Sequence, residues 1–341
     1  MRSIVYSRTG PSSVLEAVER DAAAPGPGEV RVRVAVSGVN PTDWKARASG
    51  APLAFSEVVP DQDGAGVVDA VGPDVDGFQV GDRVWVFLAA HQRPTGTAQE
   101  YTVLPAERVV ALPDGIGFDV AASLGVPAMT AHRALTVHES GPARLAPGAL
   151  DGRVVLVQGG AGAVGHAAIQ LAVWAGATVI ATVSNDEKAA LVRAAGAHHV
   201  VQYPSPDLAA RIAELAPNGV DHVVEVSPSQ NAALDVEVIA NHGSIAYYAN
   251  NNGEEFTAPI VASFAKNVRW QGLLLYTVGA APLAAAAEDI TAALEAGALP
   301  VGEGAGLPLT WFPLEETAAA HDAVESGVTG KVLIRVADDL V

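Results

Sequence analysis

Three glycines at a fixed spacing, Gly160-x-Gly162-x-x-Gly165, make the pattern in this chain that most directly specifies chemistry. They follow the apolar run "RVVLVQ" and open the run "GHAAIQLAVWAG", which has helical period. A strand turning through such a loop into a helix forms an anion site. Gly160 is expected to allow the tight turn, Gly162 to let the backbone approach a pyrophosphate, and Gly165 to let helix and strand pack closely. The helix N-terminus then offers the free N–H groups of Ala163, Val164 and Gly165, with a partial positive charge. No Gly-Lys-Ser/Thr follows, so the pattern is not a P-loop, and the expected ligand is a dinucleotide.

The second strand of such a unit decides which dinucleotide. An NAD site places Asp or Glu at its end, about 20 residues on, bonded to the ribose 2′-hydroxyl. Here "TVIATV" ends in Val183 and Ser184, with Lys188 shortly after and Tyr203 closing the third strand. Hydroxyls and an ammonium can bind a 2′-phosphate without like-charge repulsion. Ser184, Lys188 and Tyr203 therefore point to NADPH. Asp186 and Glu187 pull the other way, unless they serve the dipole of the helix they start. The plain alternative for Lys188 is a solvated helix lysine.

Several chemistries are missing. The chain has 0 Cys, which excludes disulfides, thiolate metal sites and a Cys nucleophile. Its 9 His form no His-Glu-x-x-His, and no Gly-x-Ser-x-Gly elbow occurs, so hydrolysis and a zinc site find no support. A net charge of -18 repels nucleic-acid phosphates and anionic lipid. The uncharged run 164–183 breaks into a helix and a strand rather than a membrane span, and "MRSIVYSRTGPSS" lacks the apolar core of a signal peptide. A cytoplasmic protein is expected.

The 341 residues that must position these groups are too many for one core. Residues 1–124 are β-rich: "EVRVRVAVSGVN" alternates, and "AGVVDAVGPDV" and "GDRVWVF" are short Val-rich runs broken by Gly, Pro and Asp. Residues 125–279 alternate strands with helices and so predict an α/β unit, a doubly wound parallel sheet. The tail 280–341, two helices and the strand "KVLIRV", is expected to return to the first domain.

This order resembles the medium-chain dehydrogenase/reductase superfamily, and within it the zinc-free quinone oxidoreductase (zeta-crystallin-like) group. The resemblance runs through "GVNPTDWKARASG" (38–50), "PDQDGAGVVDAVG" (60–72), "GDRVW" (81–85), "GTAQEY" (96–101), "MTAHRAL" (129–135), the Gly-rich loop and "ESGVTGKVLI" (325–334). It implies a GroES-like catalytic domain, 1–124 with 280–341, and a Rossmann NADP-binding domain, 125–279. In the zinc enzymes of this superfamily a Gly-His-Glu segment supplies catalytic ligands. Here Gln62 stands at the His position and Asp63 at the Glu position.

Without a Lewis acid, hydride delivery to an already electrophilic acceptor remains. A quinone fits, and an enone (the enoyl or 2-alkenal reductase alternative) is next, since it wants a placed acid. An NADPH-binding structural protein with little turnover is the alternative of another class. The resemblance implies that Asn40 lies beside the nicotinamide and substrate, that Thr130 contacts the nicotinamide ribose or carboxamide, and that Asp43 stands at a polar catalytic position. It nominates Tyr248, Asn250 and Tyr276 against the nicotinamide, and Lys331 for a cofactor phosphate. A homodimer is expected, with "VRWQGLLLY" pairing across a two-fold axis, because an exposed apolar edge strand needs covering.

Overall fold

The computed structural model describes residues 1–139, 141–250 and 253–340. The chain divides into two compact units, Met1–Val126 with Pro308–Val341, and Pro127–Leu307.

The second unit carries a six-stranded sheet in which every neighbouring pair is parallel. Its order is His199–Gln202, Thr178–Val183, Val154–Val157, Val220–Glu225, Ile239–Tyr247, Arg269–Gly272. Parallel strands are covered by helices on both faces, so they read as continuous Val/Ile runs rather than alternating ones. Leu156, Ile180, Val201, Val223 and Ile245 fill one core with Ile212 and Val236 from the crossover helices. The order reverses between Val154–Val157 and Val220–Glu225. The carboxyl ends of those two strands form the switch point where ligands of open α/β sheets bind.

The helix Ala280–Glu295 corrects the expected domain limits, because it belongs with this second unit. Its Asp289 is bonded by His132 Nε2 at 2.7 Å, the Leu145 N–H at 2.7 Å and Arg144 Nε at 2.8 Å. His166 Nε2 lies 2.8 Å from the Ala305 carbonyl, and Gln170 Nε2 donates to the Pro300 carbonyl at 2.9 Å. These ties keep the chain in the second unit to Leu307. The Ala-rich helix has an apolar face, but nothing in its own pattern says which unit covers it.

The first unit holds a seven-stranded sheet and the pair Arg2–Val5 with Glu16–Glu19. In Glu29–Val39 the alternation buries Val30, Val32 and Val34. Two pairings of this strand matter for function. Against the antiparallel strand Lys331–Arg335, Val39 pairs with Val332 and Gly38 with Leu333. Against Asp63–Val71, also antiparallel, Gly38 pairs with Asp63. The register thus sets Lys331, Asn40 and Asp63 side by side at one end of three strands. Gly38 leaves no room for a side chain, since a Cβ there would stand 2.1 Å from the Ala122 carbonyl oxygen.

Candidate functional site

The glycines form the expected loop, with one change of role. Gly159, with φ +66°, takes the left-handed turn, not Gly160. Gly160 is instead packed tight: a Cβ there would lie 3.0 Å from Val192 and 3.1 Å from both Ala181 and Ile169. Gly162 is the open position, where a Cβ would meet nothing nearer than 3.7 Å. Gly165 joins helix to loop, its Cβ position being 2.7 Å from the Gly159 carbonyl oxygen and 2.8 Å from Gly160 Cα. The helix Ala163–Trp174 starts at Gly162, and its first full-turn bond runs from the His166 N–H to the Gly162 carbonyl at 2.8 Å. The N–H groups of Ala163, Val164 and Gly165 precede that bond and have no acceptor within the helix.

The edge beside the loop carries the three residues expected near a ribose. Ser184 directly follows the strand Thr178–Val183. The Tyr203 N–H donates to the Val183 carbonyl at 2.8 Å, which brings the half-exposed Tyr203 next to Ser184. Lys188 lies in the first turn of the helix Asp186–Ala194, where its backbone N–H donates to the cap Asn185 Oδ1 at 2.9 Å. Asp186, the rival for a ribose hydroxyl, instead accepts from Gln202 Nε2 at 2.6 Å. Asp186 and Glu187 thus start the helix and complement its dipole.

In the first unit, Asn40, Asp63 and Lys331 are buried together. Asn40 Nδ2 donates to Asp63 Oδ2 at 2.6 Å, and Lys331 Nζ donates to Asn40 Oδ1 at 2.7 Å. Lys331 Nζ stands 3.6 Å from Asp63 Oδ2, and Asp63 Oδ1 accepts from the Val126 N–H at 2.8 Å. Burial pushes the Asp63 carboxyl up, while Lys331 and Asn40 pull it back. The Lys331 ammonium is pushed down by burial, against Asp63, Asp43 and Asp61. A few residues away, Asp61 accepts from Ser37 Oγ at 3.0 Å and lies 3.0 Å from His321 Nε2.

Two expectations change here. Lys331 does not stand at a free edge: register and burial turn its ammonium onto Asn40 and Asp63. Asp43 is a helix-starting residue, whose Oδ2 accepts from the Asn40 N–H at 2.7 Å at the head of Pro41–Ala48. Burial, then Asp61 and Asp63, raise its carboxyl well above the usual range.

The remaining nominated residues lie in the second unit. Thr130 is buried in the helix Gly125–Thr136. Tyr248 is half-buried and directly follows Ile239–Tyr247. Its N–H donates to the Glu225 carbonyl at 3.1 Å, and burial, with Glu225, raises its phenol. The Asn250 amide is engaged at both ends: Oδ1 accepts from Ser229 Oγ at 2.7 Å and Nδ2 donates to the Gly253 carbonyl at 2.6 Å. Tyr276 is half-buried in the short helical turn Leu275–Thr277.

Four buried polar residues that the sequence reading did not single out, Gln158, Thr182, Glu225 and Asp235, lie beneath the Gly-rich loop. Their signal was present. Gln158 and Glu225 end apolar strands, and Asp235 interrupts the apolar run "AALDVEVIA".

Residues 26–114 match the family described as alcohol dehydrogenase GroES-like domain, and 163–294 the one described as zinc-binding dehydrogenase. A 2-haloacrylate reductase of Burkholderia sp. is 31% identical over 94% of this chain and 94% of its own. The structure of an NAD-dependent alcohol dehydrogenase superposes with TM-score 0.85 at 30% identity, over 99% of this chain and 100% of its own. Quinone oxidoreductase of Escherichia coli, solved with NADPH, superposes with TM-score 0.80 at 25% identity, over 98% and 100%.

Among the described residues, the place where Gln62 and Asp63 stand for the zinc enzymes' His and Glu does not fit a zinc ion. Both Asp63 oxygens are already hydrogen-bonded, a buried ammonium stands beside them, and no Cys exists to complete a donor set.

Proposed function

The chain belongs to the zinc-free, quinone-oxidoreductase-like group of the medium-chain dehydrogenase/reductase superfamily, and on that premise we propose that it is an NADPH-dependent reductase of electrophilic acceptors, quinones first. The observation that carries this reading is the open backbone at Gly162 beside a ribose edge built from Ser184, Tyr203 and Lys188. One similar structure is named for NAD. The local geometry favours NADPH, because no carboxylate ends Thr178–Val183 and the nearest, Asp186, is engaged by Gln202.

When bound, NADPH supplies a hydride from nicotinamide C4. The N–H groups of Ala163, Val164 and Gly165 would hold the pyrophosphate. Ser184, Tyr203 and Lys188 would hold the 2′-phosphate. In the first unit Asn40, with Lys331 and Asp63 fixing both ends of its amide, would orient an acceptor. In the second unit Thr130 would contact the nicotinamide side. Catalysis on this account is mostly positioning. A quinone needs little acid catalysis, because solvent can protonate the hydroquinone anion.

An α,β-unsaturated carbonyl or carboxylate is the second acceptor class, favoured by the relative named 2-haloacrylate reductase. Such an acceptor needs a proton at its α-carbon. Oxidation of NADPH with a panel of quinones, enones and haloacrylates separates the two. Quinone turnover without enone turnover is expected, and the reverse would overturn the quinone assignment. NADPH binding with no turnover on any acceptor would favour the structural role.

The setting proposed is cytoplasmic, and no described helix is long and apolar enough to cross a membrane. A homodimer through the edge strand Arg269–Gly272 belongs to the same reading. Ile260, Val261, Phe264 and Leu274 flank that strand in sequence and are 75, 69, 66 and 55% exposed. Such a group of large apolar side chains needs a cover. Light scattering is expected to give twice the chain mass of 34.7 kDa, and the mass of a single chain would refute the dimer.

A further inference from the structure

The four buried residues beneath the Gly-rich loop form a hydrogen-bonded line whose polarity can be worked out. The Gly159 N–H donates to Thr182 Oγ1 at 3.2 Å. The Thr182 hydroxyl therefore turns its proton to Gln158 Oε1, at 2.6 Å. Gln158 Nε2 then donates to Asp235 Oδ1, at 2.8 Å. Asp235 and Glu225 are buried side by side, each carboxyl acting directly on the other. Glu225 accepts on every other side: from the Ser227 N–H, and from Asn231 Nδ2 at 3.1 Å to one oxygen and 3.2 Å to the other.

Two ionised carboxylates cannot share a dry contact, so one proton lies between them. It belongs on Asp235. Asp235 Oδ2 has no donor facing it, whereas Glu225 has donors from Ser227 and Asn231 that favour its charge. Burial, then Glu225, raises the Asp235 carboxyl well above its usual range.

The location gives the line its meaning. Glu225 ends Val220–Glu225, and Gln158 directly follows Val154–Val157. These are the two strands that flank the topological switch point. Gln158 is also the residue before Gly159, whose left-handed turn starts the loop.

We propose that the Asp235–Glu225 carboxyl pair, acting through Gln158 and Thr182, is a positioning device that holds the Gly159 turn, and with it the dinucleotide loop, in its pyrophosphate-binding shape. None of the four touches the cofactor on this account, so they act on its affinity and not on the acceptor. The inference rests on the reading of the loop as the NADPH site.

Two substitutions isolate the proton. Asp235→Asn keeps an oxygen for Gln158 and places an N–H toward Glu225, as the protonated acid does. Asp235→Leu keeps the approximate volume and removes both. The readout is direct titration with NADPH, followed by the fluorescence of its nicotinamide with no acceptor present. Asn is expected to bind within about twofold of the unsubstituted chain, and Leu roughly tenfold more weakly. With saturating NADPH, kcat should be unchanged in Asn, and the loss in Leu should appear in KM for NADPH.

Should Asp235→Leu fail to fold, Gln158→Met cuts the same line one residue from the pair and is expected to weaken NADPH binding similarly. Binding by Asp235→Asn as poor as by Asp235→Leu would overturn the shared-proton account. Unimpaired binding by Asp235→Leu or by Gln158→Met would overturn the positioning role. Failure of the unsubstituted chain to bind NADPH would instead sink the cofactor reading on which both stand.

Discussion

Replacing Lys331 by methionine is expected to destabilise the chain by about 3–5 kcal/mol near neutral pH, the usual cost of removing one partner of a buried ion pair. Methionine keeps the unbranched stem but takes away the charge facing Asp63 and the donor facing Asn40 Oδ1. Asp63 would then be an uncompensated carboxylate in a dry site that already holds Asp43 and Asp61. The pH dependence follows from sign. Burial raises the folded-state Asp63 carboxyl, and Lys331 is the leading group that lowers it. In the variant it rises further, so the folded state takes up a proton before the unfolded state does. The loss should therefore be largest at high pH and shrink as pH falls through the folded-state value.

The double change Lys331→Met with Asp63→Asn should be milder than the single one, because it removes charge and countercharge together. Urea unfolding at several pH values checks this. The same single variant is expected to lower kcat, since Asn40 loses the partner that fixes which end of its amide faces Asp63. A change in stability below about 1 kcal/mol, the range of exposed ion pairs, would show that the pair is not the buried interaction described.

Replacing Gly165 by valine is expected to abolish measurable NADPH binding while the rest of the fold survives. Even the first carbon of a side chain would stand 2.7 Å from the Gly159 carbonyl oxygen and 2.8 Å from Gly160 Cα. These neighbours are backbone, which cannot rotate away, so helix and loop must part. The overpacking should cost about 1–3 kcal/mol of stability, and the larger consequence is local. The helix start moves off the turn at Gly159, and the N–H groups of Ala163, Val164 and Gly165 lose their common focus. Gly162→Ala is the contrast. It introduces no clash inside the protein, since its Cβ would meet only the Gly159 carbonyl at 3.7 Å. It should leave stability nearly unchanged and weaken NADPH by blocking the ligand's approach. Thermal unfolding and cofactor titration of both variants read the difference, and equal stability loss in the two would contradict it.

What the sequence made legible was local. The Gly spacing, the Ser184 end of "TVIATV" and the strand–helix alternation each lie within a short window. They carried the Rossmann unit and the NADPH reading. What it hid was set by register across long separations. Lys331 is 291 residues from Asn40, and its strand looks from its own residues like any edge strand. Only the pairing of Val332 with Val39 turns its ammonium inward. Asp235 and Gln158, 77 apart, likewise meet only through the sheet order. The helix Ala280–Glu295 goes with the second unit because Asp289 finds His132 and Arg144 through tertiary packing that helical period does not report. The left-handed turn falls on Gly159 rather than Gly160, because the glycine spacing reports neither φ nor the packing that surrounds each glycine.

On the proposed function, this chain moves a hydride from NADPH to an activated acceptor without help from a metal. The direct measurement is oxidation of NADPH deuterated at nicotinamide C4, compared with unlabelled NADPH, with a quinone as acceptor and a chelator present throughout. Turnover is expected to survive the chelator, to be slower with the cofactor deuterated on one face of C4, and to be much weaker with NADH. Turnover abolished by the chelator and restored by zinc, or NADH used in preference to NADPH, would contradict it.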